Sequence, residues 1–387
     1  MSKEVSEADI ISILEFFDDL EDPRSIINRK HLLTDLIVIC FAAVISCCDG
    51  PQSIGLWADA KSDWCHKHLT LPAGIPSHDT IGRLLATLKP DTFQACFNKW
   101  INHVQGKSEL IGPTTQKHIA IDGKALRRSH DRRNDLGPLF LVSAWSVEGG
   151  LSLGQLATEE KSNEITAIPE LIEKINVQGA VLTIDAAGCQ RNIAQLIIDL
   201  KGDYVLALKG NQGNLHKQII KWVDEQFDND WIGIIREELE TRDNKHGRED
   251  IHSYIQFMVP EDLKGKENWA GLKTIGIAMR NSTANGKEAV DVRYYLSSLP
   301  MAARRFASAV RGHWAIENTL HWCLDVTFRE DESRLRNRFA AENLAWLKRF
   351  VIGLIKQTPS KDSIAMRRQM AAWNENYLTQ LLGIPTL

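Results

Sequence analysis

The sequence predicts an α/β protein: a mixed sheet with helices on its faces, carrying a β-rich insertion and preceded by an all-helical domain. Three observations carry that expectation. Residues 1–105 show helical periodicity punctuated by capping signals. From Lys117 onward, short apolar runs alternate with helical stretches. Between about 211 and 300, further strand-like runs are separated by polar or Gly-containing turns.

Taken in order, residues 10–17 have helical spacing, which Asp22-Pro23-Arg24 breaks. Residues 31–48 read as a buried helix. Its apolar run, Leu36 to Cys48, has thirteen residues and is too short to span a bilayer. Helices are expected at 53–69, at 80–88 with Ser77 as a cap, and at 91–104. A polar connection, 105–116, contains Gly112-Pro113. Strands are expected at 117–122, 139–147, 151–158, 180–185 and 203–208, with Glu148-Gly149-Gly150 turning the second into the third. Helices follow at 164–175 and 190–200. Strand, strand, strand, helix, strand, helix, strand gives two antiparallel joins and then a parallel part. That order is the one found in RNase H-like domains, where the first and fourth strands are central neighbours. Inserted strands are expected at 231–238, 251–258, 272–279 and 290–297, and helices resume near 302. Two domains follow, 1–105 and 106–387, the second carrying the insertion.

With 387 residues, 43% hydrophobic and 25% charged, the chain has the composition of a soluble globular protein of two or three domains. Its polar N-terminus is no secretory signal. Seven scattered cysteines read as reduced thiols of a cytosolic protein, and no membrane partner is expected. Cys47, Cys48, Cys65 and His68 have poor spacing for structural zinc, and buried cysteines are the better reading. A net charge of −4 neither demands nor excludes a nucleic-acid partner.

Two apolar strands each run into an aspartate, Ile119-Ala120-Ile121-Asp122 and Val181-Leu182-Thr183-Ile184-Asp185. Far downstream, His313-Trp314-Ala315-Ile316-Glu317-Asn318-Thr319-Leu320-His321-Trp322 carries a glutamate. Carboxylates at the ends of neighbouring strands suit hard cations such as Mg²⁺. Two such ions, about 3.5–4 Å apart, can clamp the attacking and leaving oxygens of a phosphodiester. Either aspartate alone is equally a turn residue. Two of them on buried strands of one unit favour a metal partner, because an unpaired buried carboxylate is costly. On an α-helix, His313, Glu317 and His321 form one polar stripe beside an apolar face of Ile316, Leu320, Cys323 and Leu324. Trp314 and Trp322 flank the stripe as core residues or base-stacking platforms. Zinc is the minor option, since the His-Glu-x-x-His order is absent. Two basic patches flank the acids and read as solvated faces or phosphate contacts. One is Lys124, Arg127, Arg128, Arg132 and Arg133; the other is Arg334, Arg336, Arg338, Lys348 and Arg349.

From about residue 10 to 380 the chain resembles bacterial insertion-sequence transposases of the DDE type, especially the H-repeat-associated group. Phe17-x-x-Leu20-x-Asp22-Pro23-Arg24 and Pro76-Ser77-x-x-Thr80 are similar to the family's transposase-associated domain. Ile121-Asp122-Gly123-Lys124 and Ile184-Asp185-Ala186 are similar to its aspartate motifs, and His246-Gly247-Arg248-Glu249 to a recurrent element of its insertion. The run from His313 to Val326 matches its glutamate motif. The resemblance implies that Asp122, Asp185 and Glu317 hold two Mg²⁺ or Mn²⁺ ions and catalyse DNA strand cleavage and strand transfer. It implies phosphate contacts at Lys124, Arg127, Arg128, Lys209, Arg248 and Arg311, and supporting roles for His313, Asn318, His321 and Asp325. DNA, as element ends and target, is the implied partner. A homodimer on DNA and a cytoplasmic, nucleoid-associated location follow by analogy. Where the wider superfamily has tyrosine, arginine, glutamate and lysine, this chain has Val310, His313, Glu317 and Leu324. The alternative is a silent or nicking-only descendant that acts as a DNA-binding protein.

Overall fold

The computed structural model describes residues 13–109, 117–131, 133–158, 163–245, 248–284 and 287–384. β1 (His118–Leu126), β2 (Leu139–Ser146) and β3 (Leu151–Thr158) form an antiparallel meander. β4 (Val181–Ile184) pairs parallel with the other edge of β1, and β5 (Asp203–Leu208) pairs parallel with β4. The crossovers contain α6 (Glu164–Lys174) and α7 (Arg191–Asp199). The RNase H-like order of strands and helices is therefore present. β4 is buried at every position, as a central parallel strand covered on both faces must be.

The insertion is not a separate sheet. β6 (Arg236–Lys245), β7 (Arg248–Met258), β8 (Thr274–Ala284) and β9 (Lys287–Ser297) extend the same one, because β9 pairs antiparallel with β5. The full order is β3-β2-β1-β4-β5-β9-β8-β7-β6. Two expectations are corrected here. The insertion opens with a helix, α8 (Gly213–Asp228). Its first strand starts at Arg236 rather than 231, because Asp230, Trp231 and Gly233 all adopt positive φ in a tight turn. The Trp231 ring, apolar enough to suggest a strand, is buried between Trp222 and Phe257, with centroids 6.0 and 5.5 Å away. β6 itself (REELETRDNK) is highly charged, which discourages another chain from pairing with the sheet edge.

The helical N-terminal region consists of α1 (Leu33–Ile45), α2 (Pro51–Ala60), α3 (Ser62–His68), α4 (His78–Thr87) and α5 (Pro90–Glu109). The single helix expected at 53–69 is two helices broken at Lys61. Ser77 caps α4, its hydroxyl accepting from the Thr80 N–H at 3.4 Å. In the first turn of α1 the buried Asp35 carboxylate accepts from the Leu71 N–H at 2.9 Å; beyond that turn the helix is apolar all round and so is buried all round. The helices that cover it include C-terminal ones: α10 (Arg338–Gln357), α11 (Ile364–Trp373) and α12 (Glu375–Leu382). Phe350 of α10 closes an aromatic cluster with Phe41 at 5.1 Å, Phe97 at 4.6 Å and Trp100 at 4.5 Å. Each such buried ring contributes roughly 1.5–3 kcal/mol, so α10 binds the helical layer to the sheet it also touches at β3.

On the sheet lies α9 (Ala303–Ala315), whose Phe306 ring rests on Gly276 of β8. A Cβ at Gly276 would overlap that ring. Gly276→Ala should therefore destabilise the fold by about 1–3 kcal/mol, read as a lower urea midpoint with an unchanged slope.

Candidate active site

Pairing of β1 with β4 runs in the register Ile121↔Ile184. Asp185 follows the last residue of β4, and Asp122 is the residue of β1 beside it, where the parallel pairing stops. β1 itself does not end at Asp122, the expected boundary, but runs on to Leu126 by pairing with β2. The two carboxylates emerge side by side at the carboxyl end of the parallel pairing. That edge is where α/β sheets bind their ligands. Each aspartate also accepts from nearby backbone. Asp122 Oδ1 accepts from the Gly123 N–H at 2.9 Å. Asp185 Oδ1 accepts from Ala187 at 3.0 Å and Gly188 at 3.4 Å. Only Asp185 opens a turn; in both, one oxygen of the carboxylate is spent on the backbone.

Glu317 reaches the same place from the helix after α9. All three acids line one cleft of about 350 Å³, together with Lys209, His313 and Trp314. The Asp122 side chain is 16% exposed. Its carboxyl is pushed up to about 7, first by burial and then by the charge of Asp185, with Glu317 and Glu164 adding to it and the Gly123 N–H opposing. Glu164, the first residue of α6, escaped sequence reasoning. It is 7% exposed and lies over Gly123, where any Cβ would overlap its carboxylate. No spacing rule connects it with Asp122; only the fold does.

The helix carrying Glu317 departs from the expected α form. It widens to π geometry over Ile316–His321 and again over Cys323–Thr327. In an α-helix, residues four apart drift round the axis because a turn holds 3.6. The wider i→i+5 turn reverses that drift, and such turns are frequent at functional sites. The result keeps His313, Glu317 and His321 on the cleft side. His321 Nδ1 lies 3.5 Å from Asp122 Oδ2. Burial, then Arg349 and Lys124, push the His321 imidazole down to about 3, so it is neutral at physiological pH. Its Nε2 is buried without a hydrogen-bond partner among the described residues. Asn318 lies on an adjoining groove of about 460 Å³, which Arg311 and Trp314 also line. Trp314 carries the Arg293 guanidinium 4.2 Å from its ring centroid, whereas Trp322 is 58% exposed.

Several basic residues are not where phosphate contacts would need them. Lys124 is only 10% exposed, and its ammonium is held by Asp325 and by Glu330 at 3.0 Å. Lys124 is therefore an internal counter-ion rather than an open phosphate contact, and Asp325 is its partner. Lys348 and Arg349 are 1% and 0% exposed, so that half of the second patch faces the core. Arg349 Nη1 donates to Glu330 Oε1 at 2.7 Å. Arg338 donates to the Gly137 carbonyl at 3.0 Å. Arg127 is exposed beside Asp331 at 3.2 Å, and Arg128, Arg133, Arg334 and Arg336 are exposed. Lys209 is exposed on the cleft. Arg311 is tied to β6, donating to Thr241 and Asp243 at 2.9 Å each. Arg132, His246 and Gly247, like the side chains of Arg248 and Glu249, lie outside the described residues.

Among the described residues, no group of three or more His, Cys, Asp or Glu side chains stands close enough together to hold an ion as arranged. Burial pushes the Cys48 and Cys65 thiols up to about 12, which suits packing rather than ligation. The donors at the cleft are carboxylate oxygens, the set that hard cations prefer.

Comparison with known proteins identifies the family. The profile described as "Transposase DDE domain" matches residues 113–354, spanning β1 through most of α10, and "DDE_Tnp_1-associated" matches residues 14–101. The chain belongs to the DDE transposase family. Among the relatives of this transposase-family chain, "Putative transposase YncI" of Escherichia coli O157:H7 is 37% identical over 97% of this chain and 95% of its own. "H repeat-associated putative transposase YhhI" of Escherichia coli K12 is 34% identical over 96% and 97%. A solved piggyBac transposase synaptic complex with hairpin DNA aligns with a TM-score of 0.40 and 13% identity, over 96% of this chain and 78% of that one. Among the described residues, no helix of this transposase is long and apolar enough to cross a membrane.

Two outcomes follow from these charges. Burial would raise the Glu330 carboxyl, but Arg349, then Lys124 and Lys348, outweigh it and hold it at about 2. The folded value lies below the unfolded one of about 4.3. The stabilisation is therefore complete above that pH and is lost as pH falls toward 2, by an amount on the order of 3 kcal/mol. Urea titrations from pH 7 to pH 3 should show this acid limb, flattened in Glu330→Gln. Asp122→Asn should act in the opposite sense, relieving carboxylate crowding. In EDTA at pH 8 it should raise stability by about 1–3 kcal/mol, seen as a higher melting temperature than wild type.

Proposed function

We propose that this chain is a working DNA transposase that cleaves a strand at the end of an insertion-sequence element and joins the freed end to target DNA. The observation that carries the reading is one cleft lined by Asp122, Asp185 and Glu317, with Asp122 driven toward its protonated form by burial and its acidic neighbours. Crowded carboxylates cost stability, so their presence asks for a compensating partner. Their all-oxygen character fits two Mg²⁺ or Mn²⁺ ions, which Asp122, Asp185 and Glu317 would hold. When bound, such ions supply Lewis-acid charge to the attacking and leaving oxygens of a phosphodiester.

The chain's own residues then divide the work. Backbone N–H groups hold one oxygen of each aspartate, so both carboxylates are oriented before DNA arrives. Lys209 on the cleft, Arg127 and Arg128 beyond the end of β1, and Arg311 on α9 are phosphate contacts, with Arg248 at the start of β7 as a further one. His313 and His321 bring neutral rings to the acids without adding charge. Water attacks first; the resulting 3′-hydroxyl then attacks target DNA in the same cleft. The helical domain, residues 1–105, positions the element end, and two chains bring two ends together as a dimer on DNA. A DNA substrate of this kind puts its site of action at the nucleoid of a bacterial cytoplasm.

The deciding experiment is cleavage of labelled linear DNA bearing the element's own ends, in Mg²⁺, in Mn²⁺ and in EDTA. Metal-dependent cleavage should fall at least about 100-fold in Glu317→Gln, with DNA affinity within about threefold of wild type. Tight DNA binding indifferent to metal, without cleavage, would instead identify a silent descendant.

A further inference from the structure

Beneath the three acids lies a second tier of polar side chains. Residues two or four apart on a strand share a face, as do residues four apart on a helix. His118 stands four residues before Asp122 on β1, Thr183 of β4 two before Asp185, and His313 of α9 four before Glu317 in the widened helix that continues it. The three side chains meet at one atom. His118 Nε2 lies 2.8 Å from Thr183 Oγ1, and His313 Nδ1 lies 3.3 Å from the same oxygen. One hydroxyl thus links the three elements that carry the acids.

The tier is costly to build. His118 and Thr183 are 6% and 2% exposed, and apolar side chains would pack there without polar groups to satisfy. The close approach also requires Gly312, since a Cβ there would overlap the His118 ring. Burial holds both imidazoles below their ordinary range, His118 at about 4. Each neutral ring offers one N–H and one bare nitrogen, and a threonine hydroxyl has a single proton. The hydroxyl can donate to one ring only, so the other ring must donate to it. The tautomer of His313 is therefore coupled to that of His118 through Thr183. With Nδ1 engaged there, Nε2 is the nitrogen that His313 offers to the cleft it lines.

We propose that Thr183 and His118 are positioning residues that fix the orientation and tautomer of His313, and that His313 contacts the reacting phosphodiester through Nε2. The inference rests on the reading of this cleft as a transposase active site. It adds a requirement that the acids alone do not impose. Glu317 depends on the same tier, because His313 is one helical turn before it and is anchored to the strand of Asp185.

The test uses the full-length protein with Thr183→Val, nearly the same shape without the hydroxyl, and Thr183→Ser, which restores the hydroxyl. Near-ultraviolet circular dichroism and melting temperature establish that each variant is folded. At saturating DNA, Thr183→Val should lower the cleavage rate about 10–100-fold, with the DNA Kd within about twofold, while Thr183→Ser stays within about threefold of wild type. A second arm needs no activity: ¹⁵N-histidine NMR, with the His313 signals assigned by their loss in His313→Gln. Wild type should show one fixed tautomer with distinct Nδ1 and Nε2 shifts, and Thr183→Val should show averaged shifts. A Thr183→Val protein that keeps both the rate and the fixed tautomer overturns the proposal, as does a folded Thr183→Ser that fails equally. If wild type cleaves nothing, the transposase reading fails and the NMR arm alone decides the tier: averaging in Thr183→Val supports it, and unchanged shifts overturn it.

Discussion

The parallel pairing of β1 with β4, in the register Ile121↔Ile184, forces two carboxylates to emerge side by side where water would otherwise keep like charges apart. A slip of one residue would turn either aspartate to the opposite face of the sheet. The apolar residues that prevent such a slip are Ile119, Ile121, Leu182 and Ile184, all essentially inaccessible to solvent. Hydrophobic burial thus supplies the free energy that holds an electrostatically unfavourable arrangement in place. The raised Asp122 carboxyl is the local expression of that tension.

Behind the acids, a buried charge network resists the same tension from the other side. Glu330 joins Lys124 of β1 to Arg349 of α10, and Asp325 adds a second acid to Lys124. A buried ion pair adds little over an apolar replacement, but breaking one leaves an uncompensated charge and costs several kcal/mol. Its consequence here is positional. It ties the strand that bears Asp122, the segment after the widened helix and α10, which packs against both the N-terminal helices and the sheet, to one point. The helical layer is therefore mechanically coupled to the site, although none of its side chains lines the cleft.

The inserted strands do more than lengthen the sheet. By pairing with β5 they carry the sheet surface past the acids and give α9 a long bed, with Phe306 seated on Gly276. The cleft consequently has one wall from the acid-bearing strands and another from β9 and α9. The groove beside it is lined by β7, β8, β9 and the end of α9. Widening of the helix after α9 brings three polar side chains back to one side over two turns.

Much of this was legible in the sequence, because it follows from local patterns. Strand and helix periods, the Ser77 cap, the Gly149-Gly150 turn and the two aspartates that follow apolar runs are one-dimensional signals with direct physical causes, although β1 runs on past Asp122. So was the glutamate motif, of which His313, Trp314 and Glu317 line the cleft. What the tertiary structure alone decided is how charge is shared between distant segments. Lys124 and Lys348-Arg349 have the composition of phosphate-binding patches, yet they are buried against Glu330, and no local rule states which basic residues a fold will internalise. Glu164 joins Asp122 across a loop and two strands, and Thr183 joins two histidines from different elements. Trp231 illustrates the limit from the apolar side: it reads as a strand residue, but its partners Trp222 and Phe257 hold it in a turn. Periodicity reports which face of an element is apolar; only packing reports what that face, and the charges beside it, will meet.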